Sequence, residues 1–417
     1  MMKEWRMRLM RFPLLGLVSF QLSSCTSQKP ISDQNFAQQY AQSATVSCDF
    51  SVVAMPEEFR VFCSLSFTRP EAEFAGFREK YRLEYQLRST YESRRALLID
   101  SLGPEQQIRT GSRNAVFQLS VPRKENQPEQ VLLLRLLHRH AAEEYAFICR
   151  IPSDAASDAS PFALFRGNGR IPVAGNVAQA GDTLCIRSFD FRHNEIVVGF
   201  TPFSQQVAMP PMATVPLLDS AESQVYPVSV KLNEPMVFRQ PGYYLVSDPE
   251  KRTGFGFVVG ADAYPSLTKP EELVGPLIYI SSREERKALF TQENPKRAVD
   301  DFWLKISPLK DRARELIRRY YLNVEEANRR FTSHKEGWKT DRGMVMAIFG
   351  PPAQVFHSQD LEVWVYEKSQ NPESAVFYFF RKRAANFADI WELKRLSDYD
   401  KIWYGVVDLW RKGLIDR

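Results

Sequence analysis

Glu336-Gly337-Trp338-Lys339-Thr340-Asp341-Arg342-Gly343, continued by Met344-Val-Met-Ala-Ile-Phe349 and closed by Gly350-Pro351-Pro352, is the stretch from which the architecture is read. Thr340 or Asp341 can offer a side-chain oxygen to the first free backbone donors of a helix, so a helix is predicted to begin there. Gly350 permits a C-terminal cap, and two prolines cannot continue the helix. Further on, Leu361-Glu-Val-Trp-Val-Tyr366 and Ala375-Val-Phe-Tyr-Phe-Phe380 read as strands, separated by polar residues that include Asn371-Pro372. The pattern predicts a short, doubly capped helix laid on an antiparallel hairpin.

Gly337-Trp338-x-Thr340-Asp341, with Arg342-Gly343 and Phe349-Gly350-Pro351-Pro352, resembles the signature of the bacterial GWxTD-domain proteins, a family without an assigned activity. The likeness covers the last third of the chain directly and implies β-rich segments ahead of the motif domain. A fainter likeness, to the small BamE-type outer-membrane assembly lipoproteins, is carried only by the order short helix, Gly-x-Pro, Trp-x-Tyr strand.

The motif residues Gly337, Trp338, Thr340, Asp341, Arg342, Gly343, Gly350, Pro351 and Pro352 read as structural or partner-binding rather than catalytic. Thr340 and Asp341 would cap the helix, Arg342 would pair with a carboxylate, the glycines would allow tight backbone, and Trp338 would pack under the hairpin. Asp341 could form an acid–base pair with Glu336, Asp360 or Asp389, but spacing brings no two of them together. His334 and His357 are isolated, which is not a metal-site pattern. Lys339-Thr340 lacks the glycine loop of a phosphate site, no Gly-x-Ser-x-Gly occurs, and no cofactor is implied.

Ahead of the motif, Leu309 to Phe331 repeats apolar residues every three or four positions, from Ala313, Leu316 and Tyr320 to Val324, Ala327 and Phe331. This predicts one helix with its stripe against the motif domain. Shorter helices are predicted at Pro270-Glu-Glu-Leu, Ser282–Phe290 and Asn294–Trp303, and another near the end, over Lys401–Trp410. The basic excess, a formal +5, falls mostly in this third, with Arg312, Arg314, Arg318, Arg319, Arg329 and Arg330 on the long helix. Acidic residues interleave, so a solvated face is indicated and nucleic acid is not.

The front half alternates. Val46, Cys48, Phe50 and Val52 share one parity, as do Val61, Cys63, Leu65 and Phe67. A hairpin centred between Met55 and Pro56 would face Cys48 with Cys63, and a facing pair of that kind suits a disulfide; a pair of buried free thiols is the alternative. Cys149 and Cys185 show no spacing that decides their state, and no Cys-x-x-Cys occurs. Seven strands over 45–152 fit an immunoglobulin-like β-sandwich, and a second β-rich set occupies 161–262 after a Ser/Asp/Ala linker. A helical segment and the GWxTD domain then fill 263–417. The fold class is therefore multidomain, mainly β, then α+β.

Residues 1–24 read as a signal peptide, with Lys3, Arg6, Arg8 and Arg11 ahead of an apolar run too short to cross a bilayer of about 30 Å. Leu22-Ser23-Ser24-Cys25 resembles a lipobox, which implies lipidation of Cys25 and anchoring of the mature chain. Thr26, in place of an aspartate retention signal, favours the outer membrane, and the lack of an acidic run favours its periplasmic face. Polar residues over 25–44 read as a lipidated tether. The expected function is that of a lipid-anchored cell-envelope interaction or assembly protein, with β modules extending the motif domain toward a protein partner. The alternatives are a hydrolase-like enzyme using carboxylates near Asp341, and a ligand carrier with an enclosed apolar pocket.

Overall fold

The computed structural model describes residues 29–41, 46–68, 76–110, 114–153, 159–190, 194–213, 224–248, 253–367, 374–382 and 390–415. The signal-like segment, Cys25, Asn371-Pro372 and Asp389 lie outside them.

Val46–Ala54 (β1) and Glu58–Phe67 (β2) open the first β region. Ala54 pairs with Phe59, Cys48 with Leu65, and Phe50 with Cys63. The loop closes through Met55 N–H donating to the Glu58 carbonyl at 2.8 Å, which centres it between Pro56 and Glu57. The expected Cys48–Cys63 disulfide is thereby corrected: the partner of Cys48 lies two residues further along, and Cys48, Cys63, Cys149 and Cys185 are free thiols. A two-residue slip leaves every side chain on its face, so hydrophobic alternation cannot tell the two registers apart.

After one turn, Phe77–Lys80 (α1), come Tyr81–Arg88 (β3), Ala96–Leu102 (β4), Gln107–Thr110 (β5), Asn114–Pro122 (β6), Gln130–His138 (β7) and Glu144–Ile151 (β8). They form two four-stranded antiparallel sheets, β1-β2-β6-β5 and β4-β3-β7-β8. Phe59, Val61, Leu65, Leu83, Leu119, Leu132 and Phe147 share the core between them.

The second β region holds Phe162–Arg166 (β9), Ile171–Pro172 (β10), Val177–Gln179 (β11), Thr183–Ser188 (β12), Glu195–Thr201 (β13), Tyr226–Lys231 (β14), Pro235–Val237 (β15), Gly242–Asp248 (β16) and Thr253–Gly260 (β17). Its sheets run β10-β9-β12-β15 and β11-β17-β16-β13-β14, with β11 parallel to β17. The first region meets it on the β1 side, where Ala54 N–H donates to the Ser160 carbonyl at 2.8 Å and Val53 and Phe62 pack with Ala163, Phe165 and Phe189.

Helices then take over: Pro270–Val274 (α2), Arg283–Thr291 (α3), Pro295–Ile306 (α4), Lys310–Phe331 (α5) and Asp341–Phe349 (α6). Gln354–His357 (β18), Leu361–Tyr366 (β19), Ala375–Lys382 (β20) and Ile390–Leu393 (β21) follow, and Tyr399–Arg411 (α7) is the last element. The expected hairpin is the centre of a four-stranded antiparallel sheet, β18-β19-β20-β21. Trp303, Trp364 and Trp410 are fully buried in one core with α5, α6 and α7.

That core also takes in residues from the opposite end of the chain. Ile31, Phe36 and Tyr40 are buried in it, together with Val131 and Leu133 from the outer face of β7. Phe36 N–H donates to the Val355 carbonyl at 2.8 Å, and Asn35 Oδ1 accepts from Val355 N–H at 2.9 Å. Residues 29–41 are thus a strap on the β18 edge, which corrects the reading of this stretch as a tether. Three apolar side chains among the polar ones are enough to seat it. The arrangement also corrects the picture of β modules holding the motif domain at their far end, because the first β region folds back onto that domain. Arg381 on β20 donates to Glu129 at 2.9 and 3.1 Å, and Arg150 on β8 donates to the same carboxylate at 3.1 Å.

Removing the Phe36 ring leaves a cavity under the strap. Phe36→Ala is expected to lower stability by roughly 3 kcal/mol in chemical denaturation and to open residues 29–41 to protease, whereas Gln38→Ala leaves both unchanged.

Candidate functional site

The motif is built where α5, a 3-10 turn at Gly337–Lys339, and α6 converge. A Cβ on Gly337 would lie 2.0 Å from the Ala327 carbonyl oxygen, and one on Gly343 would lie 1.8 Å from the Gly337 oxygen. Only glycine lets these backbones approach so closely. Gly337 N–H donates to Thr332 Oγ1 at 3.1 Å and Trp338 N–H to Asn328 Oδ1 at 3.1 Å, so the end of α5 receives the turn. Thr340 Oγ1 donates to the Gly337 carbonyl at 2.7 Å and accepts from Gly343 N–H at 3.0 Å, capping α6. At the other end Gly350 sits at φ 73°, and its carbonyl accepts from the Tyr366 hydroxyl at 2.8 Å. Pro351 and Pro352 then turn the chain into β18.

Trp338 does not lie under the hairpin. Its ring packs edge-on against Tyr279 and over Gly275, and the Tyr279 hydroxyl donates to the Trp338 carbonyl at 2.9 Å. Lys339, also buried, spans Glu336 at 2.7 Å and Gln205 Oε1 at 3.0 Å. Its carbonyl accepts from Ala208 N–H, so the irregular stretch 202–213 of the second β region is laced across the motif.

Asp341 is not the cap. Its Oδ2 accepts from Leu393 N–H at 2.7 Å, and Arg395 grips both oxygens at 2.7 and 3.1 Å. Arg395 in turn donates to the Met209 carbonyl at 3.3 Å. The carboxylate therefore joins α6, the β21 edge and the 202–213 stretch.

Arg342 turns the other way, toward the sheet. It donates to Glu362 Oε2 at 3.0 Å and lies between the rings of Phe331 and Trp391, 4.7 and 5.2 Å from their centroids. Glu362 is 1% exposed. Its other oxygen accepts from Trp364 Nε1 at 2.6 Å and from the Tyr40 hydroxyl of the strap at 2.8 Å. Burial pushes the Glu362 carboxyl up, but Arg342, His357, Trp364 and Tyr40 together outweigh it and hold it below the usual glutamate range. His357 Nδ1 stands 3.8 Å from Glu362, a distance that would suit an ion pair. Burial, with Arg342 adding to it, keeps the imidazole below its ordinary value, so at neutral pH the ring is uncharged and packs edge-on against Phe36.

Glu336, Asp341, Asp360 and Glu362 are thus each matched to a cation: Lys339, Arg395, Arg381 and Arg342 respectively. The structure brings no two of the three described carboxylates considered as acid–base partners onto one site. Among the described residues, no group of three or more His, Cys, Asp and Glu side chains could hold a metal ion. The arrangement acts as a joint between elements. Sequence reasoning missed Tyr40, Glu362, Arg395 and Asn328. Glu362 did leave a signal, since in Leu361–Tyr366 it shares parity with Trp364 and Tyr366, and that parity faces the core.

Against this geometry, the family model described as the GWxTD domain matches residues 242–412. The chain carries a GWxTD domain over these residues. The match begins in β16, so the family's pattern takes in the last two strands of the second β region as well as the helices and the sheet. No curated protein matches the chain. The BamE-type likeness remains one of supersecondary order alone.

The buried cluster sets a pH dependence. Glu362, held below 4.5, adds stability that is present above that pH and lost as pH falls through its lower folded value. His357, held below 6.5, adds stability that is complete above about 6.5 and declines as pH falls beneath it. Acidification is expected to weaken the protein in two stages. Glu362→Gln should cost roughly 3 kcal/mol at neutral pH by stranding Arg342, and should lack the lower stage when denaturation midpoints are followed from about pH 7 to 3.

Proposed function

We propose that this protein is a lipid-anchored interaction or assembly protein of the cell envelope, held at Cys25 on the periplasmic face of the outer membrane. In this reading two immunoglobulin-like β modules and the GWxTD domain form a non-catalytic platform for an envelope protein partner. The observation that carries it is the use of Asp341. Oδ2 accepts from Leu393 N–H and from Arg395, and Oδ1 accepts a third bond from Arg395, so the carboxylate is engaged in holding three elements together. A general base must reach a substrate proton, and this one is spent on the fold.

A binding role is favoured by what the same domain leaves outside. Phe290, Leu304, Leu309, Tyr404 and Leu414 are between 41% and 74% exposed on its helical side. An open groove of about 350 Å³ between α3 and α4 is lined by Ala288, Leu289, Phe302 and Leu304. Its openness suits a partner surface more than an enclosed small molecule.

Photo-crosslinkers replacing Phe290 and Tyr404 in the intact envelope are expected to give one discrete protein adduct, absent when the crosslinker replaces Val197. Asp341→Asn should lose roughly 2 kcal/mol of stability, because it weakens a half-buried ion pair with Arg395. Hydrolysis of an envelope peptide or glycan by the purified mature chain, abolished in a stably folded Asp341→Asn, would replace this reading with the hydrolase one.

A further inference from the structure

The seat of the strap fixes where the chain leaves toward its N-terminal side, and from this we infer that the exposed β4 edge of the first β region lies against the bilayer. The inference rests on the lipid-anchor reading. Arg88 Nη1 donates to the Lys29 carbonyl at 2.9 Å and to the Ser93 carbonyl at 2.8 Å, and Ser32 N–H donates to the Tyr91 carbonyl at 3.0 Å. Lys29 is therefore held beside the β3–β4 loop. Only four peptide steps separate it from Cys25, so the anchor's Cα stays within roughly 14 Å of Lys29. The bilayer surface must lie on this side of the molecule.

The surface presented there suits it. Leu97 is 57% exposed and Ile99 55%, two large aliphatic side chains on one outer strand. Arg88 pairs with Ala96 and Leu87 with Leu98, so Leu97 is bulged outward next to the residue that holds Lys29. The strap and the motif domain cover the outer face of this sheet over β7, where Val131 and Leu133 are buried, and Gln86 and Arg88 on β3 are buried too; over β4, Leu97, Ile99 and Ser101 are exposed. Lys29, Arg94 and Arg95 are exposed in the strap and the β3–β4 loop, with Asp33, Glu92 and Asp100 as exposed acids, so the charges there balance. Aliphatic insertion flanked by arginines is the chemistry of a lipid headgroup interface. The second β region joins on the β1 side, and β1 packs against β8, at the opposite edge of the β4-β3-β7-β8 sheet from this surface.

The test uses the full lipidated chain in vesicles of phosphatidylethanolamine and phosphatidylglycerol that carry doxyl-labelled lipid. A fluorophore is placed on Leu97→Cys, Ile99→Cys or Val197→Cys, with the parent chain as the blank. Labels at 97 and 99 should be quenched and blue-shifted, and the label at 197 should be neither. Labels at 97 and 99 that remain in water, or that are shielded without lipid quenching because protein covers them, overturn the orientation. Radiolabelled palmitate at Cys25 is followed in the same preparation. Its absence would sink the anchor itself, whereas its presence with unquenched labels would sink only the orientation. Using two positions guards against a misfolded variant, and both are surface residues.

Discussion

The carboxylate of Glu362 is the group on which the motif domain and the N-terminal strap both depend. A charge buried this completely is tolerated only if its oxygens are filled and a cation stands beside it. Four elements meet that requirement: Tyr40 comes from the strap, Trp364 from β19 itself, Arg342 from α6, and His357 lines the remaining side from β18. Each donor is fixed by its own packing. Tyr40 stacks on Phe331, and Arg342 is clamped between Phe331 and Trp391. Loss of any one donor leaves the buried carboxylate short of a partner, and so a cluster of modest individual bonds imposes one arrangement on segments that are distant in sequence.

The motif's glycines and polar residues solve a different problem, that of bringing two helix ends to a single point. With Gly337 against the Ala327 carbonyl and Gly343 against the Gly337 oxygen, the turn between α5 and α6 is tighter than any side chain would permit. Such tight packing leaves backbone donors facing inward. Thr332, Asn328 and Thr340 take them up. The five-letter signature is therefore the visible part of a larger set, whose other members lie on α5.

Much of this was legible in sequence. The short capped helix, the long amphipathic helix with its stripe and the β-rich front all follow from periodicity and from the placement of Gly and Pro. The misses share a physical origin. The register of β1 and β2 hinged on loop closure, to which side-chain parity is blind. The strap was hidden because composition averages over a window, whereas seating needs only Ile31, Phe36 and Tyr40 at the right points. Asp341 was read as a local cap, although its partner lies beyond β21. Trp338 was placed by proximity to the hairpin, although the cavity that fits it lies beside Tyr279 and Gly275. Non-local pairing leaves no trace in local pattern.

The fold-back also changes what the β modules are for. In a string of modules, force or distance applied at the anchor passes through each in turn. Here the strap leads along the β3–β4 loop to β18, so on the proposed anchor the covalent path from lipid to GWxTD domain is about a dozen residues long and does not run through the strands of either β region. Those regions are then side supports. The first clamps the strap through Arg88 and locks onto β20 through the Arg381–Glu129–Arg150 contact, while the second sends residues 202–213 across the motif to meet Lys339 and Arg395. With the domain braced on both flanks, the helices α3, α4 and α7 remain as its uncovered side. They carry Phe290, Leu304 and Tyr404 outward, and these are the side chains that the proposed partner would meet first.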